Sequence, residues 1–108
     1  MTRALEAGHP VTLESTNTMA DGLTAPFTGE LNLAIVRELV DDVVLVSEDE
    51  IVTALKLVLD RTKLLIEGAA AAGIAALLTG KAGIGTGSVT AAVLTGGNID
   101  LDRLKSIL

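Results

Sequence analysis

SVTAAVLTGGNID, residues Ser88 to Asp100, is the stretch that decides how this chain is read. Val89, Ala91, Val93 and Leu94 form a short apolar run with the β-branched content of a buried strand. The run breaks at Thr95-Gly96-Gly97-Asn98. From Ile99 to Leu108, apolar residues recur at Leu101, Leu104 and Leu108, the spacing of a helix face. A strand that ends in paired glycines and turns into a helix is a common seat for a ligand. The glycines let backbone approach closely, and a hydroxyl at the strand end can point into the crevice.

Working outward, the segments before this stretch alternate in the same way. Gly80 is a helix stop, and Lys81 to Gly87 is a glycine-rich loop leading to the strand. Glu67 to Thr79 reads as a helix rich in alanine, whose small side chains allow close approach to a neighbour. Before it, Ser47-x-x-Glu50 matches a capping box, and Glu48, Asp49 and Glu50 put negative charge on the positive end of a helix. That helix should carry Ile51, Leu55, Val58, Leu59 and Thr62 on one face, pair Lys56 with Asp60, and run to about Leu65. Val43 to Val46 is an apolar run expected as a buried parallel strand. Gly29 to Val40 is expected as a heavily buried helix, since Leu31, Leu33, Ile35, Val36, Leu39 and Val40 cover more than half its circumference.

Residues 1–28 read as an irregular lead-in to a single α/β domain spanning residues 1–108. Thr2 to Gly8 can form a turn or two of helix stopped by Gly8, and Val11 to Ser15 alternates weakly. The order helix, strand, helix, helix, strand, helix points to α/β with a partial parallel sheet. Two strands are too few for a stable open sheet, so the pattern suits part of a larger domain.

Composition narrows the classes. Hydrophobic residues make up 49% of the 108, yet Phe27 is the only aromatic, so a core must be built from Ala, Val, Leu and Ile. The net charge of −6 and the lack of a basic cluster argue against nucleic acid and anionic membranes. With no cysteine, thiolate catalysis and cysteine metal sites are excluded. Mean hydropathy is +0.56, but the longest uncharged apolar run, Gly68 to Leu78, is too short to span a bilayer. The opening residues have no signal-peptide core. The expectation is a soluble, cytoplasmic protein.

LTGGNID (Leu94 to Asp100) resembles the segment that closes the catalytic domain of pyridoxal-phosphate-dependent threonine dehydratases and serine racemases. TMADG (Thr18 to Gly22), ELVDDVVLVSEDEI (Glu38 to Ile51) and RTKLLIEGAAA (Arg61 to Ala71) resemble the same family, in the same order and spacing. The resemblance implies a piece of a three-layer, fold type II domain of the tryptophan synthase β-like kind. It also implies dehydration of threonine or serine to a 2-oxo acid and ammonia, with pyridoxal phosphate as cofactor and a homo-oligomer as the assembled form.

In that family the hydroxyl at the position of Thr95 faces the cofactor's pyridine nitrogen; this chain has Thr where the family usually has Ser. A neutral hydroxyl does not protonate the nitrogen, so the ring is a mild electron sink suited to eliminating a β-hydroxyl. The alternative is a threonine that simply ends a strand. Gly96 and Gly97 would allow close approach to the cofactor, with Asn98 as N-cap of the last helix. Gly22 would line the facing side together with Asp21; the alternative is an ordinary Asp-Gly turn. Glu67 matches a family glutamate near the cofactor ring, or is an acid stabilised by a helix dipole.

Other candidates read as inert. Asp100 and Asp102 disfavour phosphate at the last helix. Gly83 to Ser88 runs from helix into strand, opposite to known phosphate cradles, and lacks their lysine. The acids from Asp41 to Glu50 do not follow a calcium-loop pattern, and His9, the single histidine, has no metal partner.

The family's cofactor-bearing lysine and phosphate loop lie upstream of the matched segments. Lys56, Lys63, Lys81 and Lys105 lack that lysine's context, so this chain is expected to be non-catalytic alone. A second expectation, of another class, is a non-catalytic α/β module that self-associates or binds a partner through its apolar faces. A ferredoxin-like regulatory domain would need four strands, which are not found.

Overall fold

The computed structural model describes residues 1–108 and contains helices joined by irregular segments, with no β-strand. Five α-helices occur: α1 (Thr2–Ala7), α2 (Glu30–Leu39), α3 (Glu48–Thr62), α4 (Gly68–Leu78) and α5 (Leu101–Ile107). A 3-10 turn covers Asp21–Leu23. The chain divides into two compact units, one of residues 1–17 and 24–44, the other of residues 18–23 and 45–108.

In the first unit, α1 packs on α2. Gly8 stops α1 in the left-handed conformation (φ 76°), its N–H returning to the Ala4 carbonyl at 2.9 Å. The Val11 to Ser15 segment is irregular, with a bend at Glu14, and makes one backbone hydrogen bond, Leu13 N–H to Pro26 O at 2.7 Å. Helix α2 forms where expected but is not heavily buried. Only Leu33 is fully covered, while Leu31 and Leu39 are each 73% exposed. Two short helices can cover one stripe of each other, and α2 carries apolar residues on more than one stripe.

The second unit holds the larger core. Helices α3 and α4 pack along their length, burying Ile51, Ala54, Leu55 and Val58 of α3 against Ala70, Ala71 and Ala75 of α4, with Ala20 and Ile66 closing the cluster. Leu55 is the largest fully buried side chain. The alanines make this work, because a helix face without long side chains lets its neighbour come close. The capping box forms: Glu50 N–H donates to Ser47 Oγ at 3.3 Å, and Ser47 N–H donates to Glu50 Oε2 at 2.6 Å. The Glu50 carboxylate also pairs with Lys81 Nζ at 2.7 Å. Lys81 and the Ser47 N–H together hold its pKa below the usual carboxylate value.

Two local expectations for α3 are corrected. The helix ends at Thr62, not near Leu65, because Lys63 takes the left-handed cap conformation (φ 62°). Asp60 pairs with Lys63 and Arg61, not with Lys56. The bend at the cap brings the Lys63 ammonium back over the last turn.

The expected partial parallel sheet is also corrected. Val43 to Val46 and Ser88 to Leu94 form no regular structure and pair with no strand, and Val89 is 103% exposed. A strand is held by the N–H and C=O groups of a neighbouring strand, and neither run finds one within this chain. An apolar run signals that a segment is suited to burial, not that a cover is at hand.

Two glycines of α4 are there for different reasons. A Cβ on Gly68 would stand 2.6 Å from the backbone oxygen of Met19, whereas one on Gly73 would meet nothing within 4 Å. Gly73→Ala should therefore raise stability by about 0.5–1 kcal/mol through helix propensity. Gly68→Ala should lower it by about 1–3 kcal/mol, since the backbone clash outweighs the same propensity gain. Chemical denaturation of the two variants checks both signs.

Candidate functional site

The residues singled out by sequence gather at the N-terminal end of α4, within the second unit. Glu67 is the N-cap of α4, in extended conformation. Its N–H donates to the Gly96 carbonyl at 3.0 Å, and its Oε2 accepts from the Asn98 N–H at 3.2 Å. One residue thus grips the turn after Thr95 from both sides: its backbone holds the carbonyl at 96 and its side chain holds the amide at 98.

The glycines fit tightly around this grip. A Cβ on Gly96 would stand 2.8 Å from the Glu67 carboxyl carbon and 2.9 Å from each oxygen. A Cβ on Gly97 would lie 2.7 Å from the Leu65 carbonyl oxygen. On the other side, a Cβ on Gly22 would come within 3.0 Å of Ala69 Cβ and 3.3 Å of Glu67 Oε1. Gly22, Glu67, Gly96 and Gly97 are therefore brought together. Thr95 adjoins them and is exposed.

Beside the cluster lies an open hollow of about 540 Å³, lined by Met19, Asp21, Gly22, Glu67, Gly68, Asn98, Ile99, Asp100 and Arg103. That volume is within the ~300–1,000 Å³ range of small-molecule sites. Thr95, Gly96 and Gly97 border the lining without belonging to it. Asp21, Glu67 and Asp100 contribute carboxylates, and Arg103 is the single cation of the lining. Such a surface suits the uncharged or cationic part of a ligand and repels a phosphate. The ring side of pyridoxal phosphate fits these residues; its phosphate does not.

Asp100, not Asn98, caps α5: its carboxylate accepts from the N–H groups of Asp102 at 2.8 Å and Arg103 at 3.4 Å. The helix begins at Leu101, so the cap position falls on Asp100, while Asn98 lies two residues further back with its backbone N–H on Glu67. Arg103, missed by sequence reasoning, donates from Nη1 to Asp21 Oδ2 at 2.8 Å and to the Met19 carbonyl at 3.4 Å. Glu48, in sequence no more than a helix-end charge, has a further task. Its Oε2 accepts from Met19 N–H at 2.8 Å. A hydrogen bond from the Thr18 hydroxyl, with help from that N–H, holds the Glu48 carboxyl below its ordinary pKa. No local spacing could have revealed the Arg103 contacts, whose partners lie more than 80 residues away. His9 donates only next door, from Nδ1 to the Pro10 carbonyl (2.9 Å).

A model of the family described as pyridoxal-phosphate dependent enzyme matches residues 1–96. The chain belongs to this family. It is 44% identical over 108 residues to the catabolic L-threonine dehydratase TdcB of Escherichia coli (strain K12), covering 99% of this chain and 33% of that one. A serine racemase of Oryza sativa subsp. japonica is 40% identical over 102 residues, covering 91% and 30%. Among solved structures, the processed form of threonine deaminase isoform 2 from Solanum lycopersicum superposes with a TM-score of 0.86 at 33% identity, over 98% of this chain and 31% of that one. Maize serine racemase gives a TM-score of 0.78 at 37% identity, over 96% and 34%. The chain thus superposes on about a third of fold type II pyridoxal-phosphate enzymes, without a sheet of its own. The chain spans about a third of the length of the curated relatives it matches. No helix is long and apolar enough to cross a membrane.

The grip on the turn can be broken from either side. Gly96→Ala forces the Glu67 carboxylate away and should cost about 1–3 kcal/mol. In a Glu67→Ala background the same substitution should cost less than half as much, because the obstructing group is gone. A double-mutant cycle by chemical denaturation reads the difference.

Proposed function

We propose that this chain forms one wall of the catalytic domain of a pyridoxal-phosphate-dependent threonine or serine dehydratase. The reaction is the conversion of a hydroxy amino acid to a 2-oxo acid and ammonia, and the chain is not catalytic by itself. The observation that carries this reading is the clamp of Glu67 on Gly96 and Asn98, which holds the turn that follows the exposed Thr95, with Glu67, Asn98 and Gly22 all lining one hollow.

In this reading Thr95, Gly96, Gly97, Gly22 and Glu67 hold the ring side of the cofactor. The Thr95 hydroxyl would hold the ring side of the cofactor by a hydrogen bond, and Gly22 would close the opposite side. Glu67 keeps the turn in place. Pyridoxal phosphate, when bound, supplies the electron sink for α-proton removal and β-hydroxyl loss. The lysine and the phosphate loop come from a part of the domain that this chain does not supply. In the assembled three-layer domain, Val43 to Val46 and Ser88 to Leu94 pair with strands from that part. The reading extends to a cytoplasmic homo-oligomer, in keeping with amino-acid metabolism.

A chimera tests the proposal: this chain replaces the corresponding third of the E. coli dehydratase, and 2-oxo acid release from threonine and serine is measured. Turnover is expected, and Thr95→Ala should lower kcat by about five- to tenfold, the worth of one hydrogen bond. Incubated alone with pyridoxal phosphate and borohydride, the chain should show no stoichiometric lysine adduct. An adduct with turnover, or a chimera that is folded, loaded with cofactor and inert, would overturn it.

A second reading is favoured by one observation: Leu31, Ile35 and Leu39 on α2 are exposed. They suit a non-catalytic module that self-associates through that helix. Sedimentation separates the two. A dimer abolished by Leu31→Glu supports the module, and a monomer at high concentration removes it.

A further inference from the structure

The Gly22 wall of the hollow has little structure of its own. Within Thr18 to Leu23, the 3-10 turn is closed by Leu23 N–H to Ala20 O at 2.8 Å, and Ala20 N–H donates to Thr18 Oγ1 at 3.1 Å. The rest of its fixation comes from outside. Two oppositely charged side chains seize the same residue: Glu48 accepts the N–H of Met19, and Arg103 donates to its carbonyl. Arg103 also reaches Asp21 Oδ2 at 2.8 Å, one residue before Gly22. Gly68 leaves the room that the Met19 carbonyl occupies.

From this geometry we propose that Arg103 is a positioning residue of the candidate site. Acting through Met19 and Asp21, it fixes the segment that carries Gly22 at the edge of the hollow. Arg103 lies on α5, past residue 96, where the family match ends. A lone exposed ion pair contributes little to stability. This guanidinium does more than pair charges, because it bridges a backbone carbonyl and a carboxylate with charge-assisted bonds. Its effect is local: Ala20 anchors the segment in the α3–α4 core, and Arg103 holds the Met19 carbonyl and Asp21 on either side of that anchor.

The role in catalysis rests on the proposed function; the clamp itself does not, so it is tested first without cofactor. Amide hydrogen exchange of the full chain is followed at Leu23 and at core positions Leu55 and Ala71. Arg103→Ala should speed exchange at Leu23 by about fivefold or more and leave Leu55 and Ala71 unchanged. Both contacts leave the single nitrogen Nη1, and the shorter lysine side chain sets its ammonium back from them, so Arg103→Lys should restore only part of the protection. Asp21→Asn weakens one partner and should give a smaller effect, reduced in the Arg103→Ala background.

Leu23 exchange that rises by less than about twofold, or core amides that loosen by the same factor as Leu23, would overturn the clamp. Should Arg103→Ala not fold, the Lys and Asn variants decide by the same readout. In the chimera, Arg103→Ala should lower kcat/KM severalfold and Arg103→Lys should recover part of it. Unchanged kcat/KM with a loosened Leu23 overturns the positioning role. A wild-type chimera that is inert sinks the dehydratase reading, while the exchange data still decide the clamp.

Discussion

The close contact of α3 with α4 is the constraint on which the second unit depends. It is made of small side chains, alanine on one helix meeting Ala54, Leu55 and Val58 on the other. Its consequence reaches beyond the core, because each helix begins with an acid whose carboxylate serves a neighbouring loop. Glu48, at the first position of α3, holds the N–H of Met19. Glu67, the cap of α4, holds the N–H of Asn98. Acids at helix starts are favoured by the dipole anyway. Here they direct their hydrogen-bonding capacity to loops far away in sequence, so the helix pair sets the distance between the two walls of the hollow.

What could be read from sequence is what is local. The Ser47–Glu50 box, the Gly8 and Gly80 stops and the ranges of α2 and α4 follow from neighbours within a few residues, and all appear close to where they were expected. The family resemblance added the long-range order that spacing alone lacked, bringing Gly22, Glu67 and Gly96 into one argument before any geometry was known. Arg103 shows where both routes stop. Its partners are remote, and its position lies outside the matched segments, so nothing near it in sequence marks it as more than a helix arginine.

The apolar runs failed for a different reason. Leu31 and Leu39 on α2, and Val89 and Val93 before the glycine turn, are hydrophobic and exposed. Periodicity reports which face wants cover, and the cover is a property of whatever lies against it. The chain covers about a third of its relatives' length, and these are the surfaces on which a further part of such a domain would gain apolar burial at about 25 cal/mol per Å².

The paired glycines of the turn illustrate how a residue pattern can be right for more than one cause. They drew attention because glycine lets backbone come close to a ligand. In the structure the crowding lies behind the turn: Gly96 is pressed on the Glu67 carboxylate and Gly97 on the Leu65 carbonyl. Neither has a positive φ, so conformational freedom is not what selects glycine here; space is. A side chain at either position would push the turn off α4 and carry Thr95 with it. The turn next to the exposed Thr95 is therefore held by contacts on the far side of the backbone, and its position depends on Glu67 being where it is. That makes the glutamate the keystone of the turn whether or not it ever touches a cofactor.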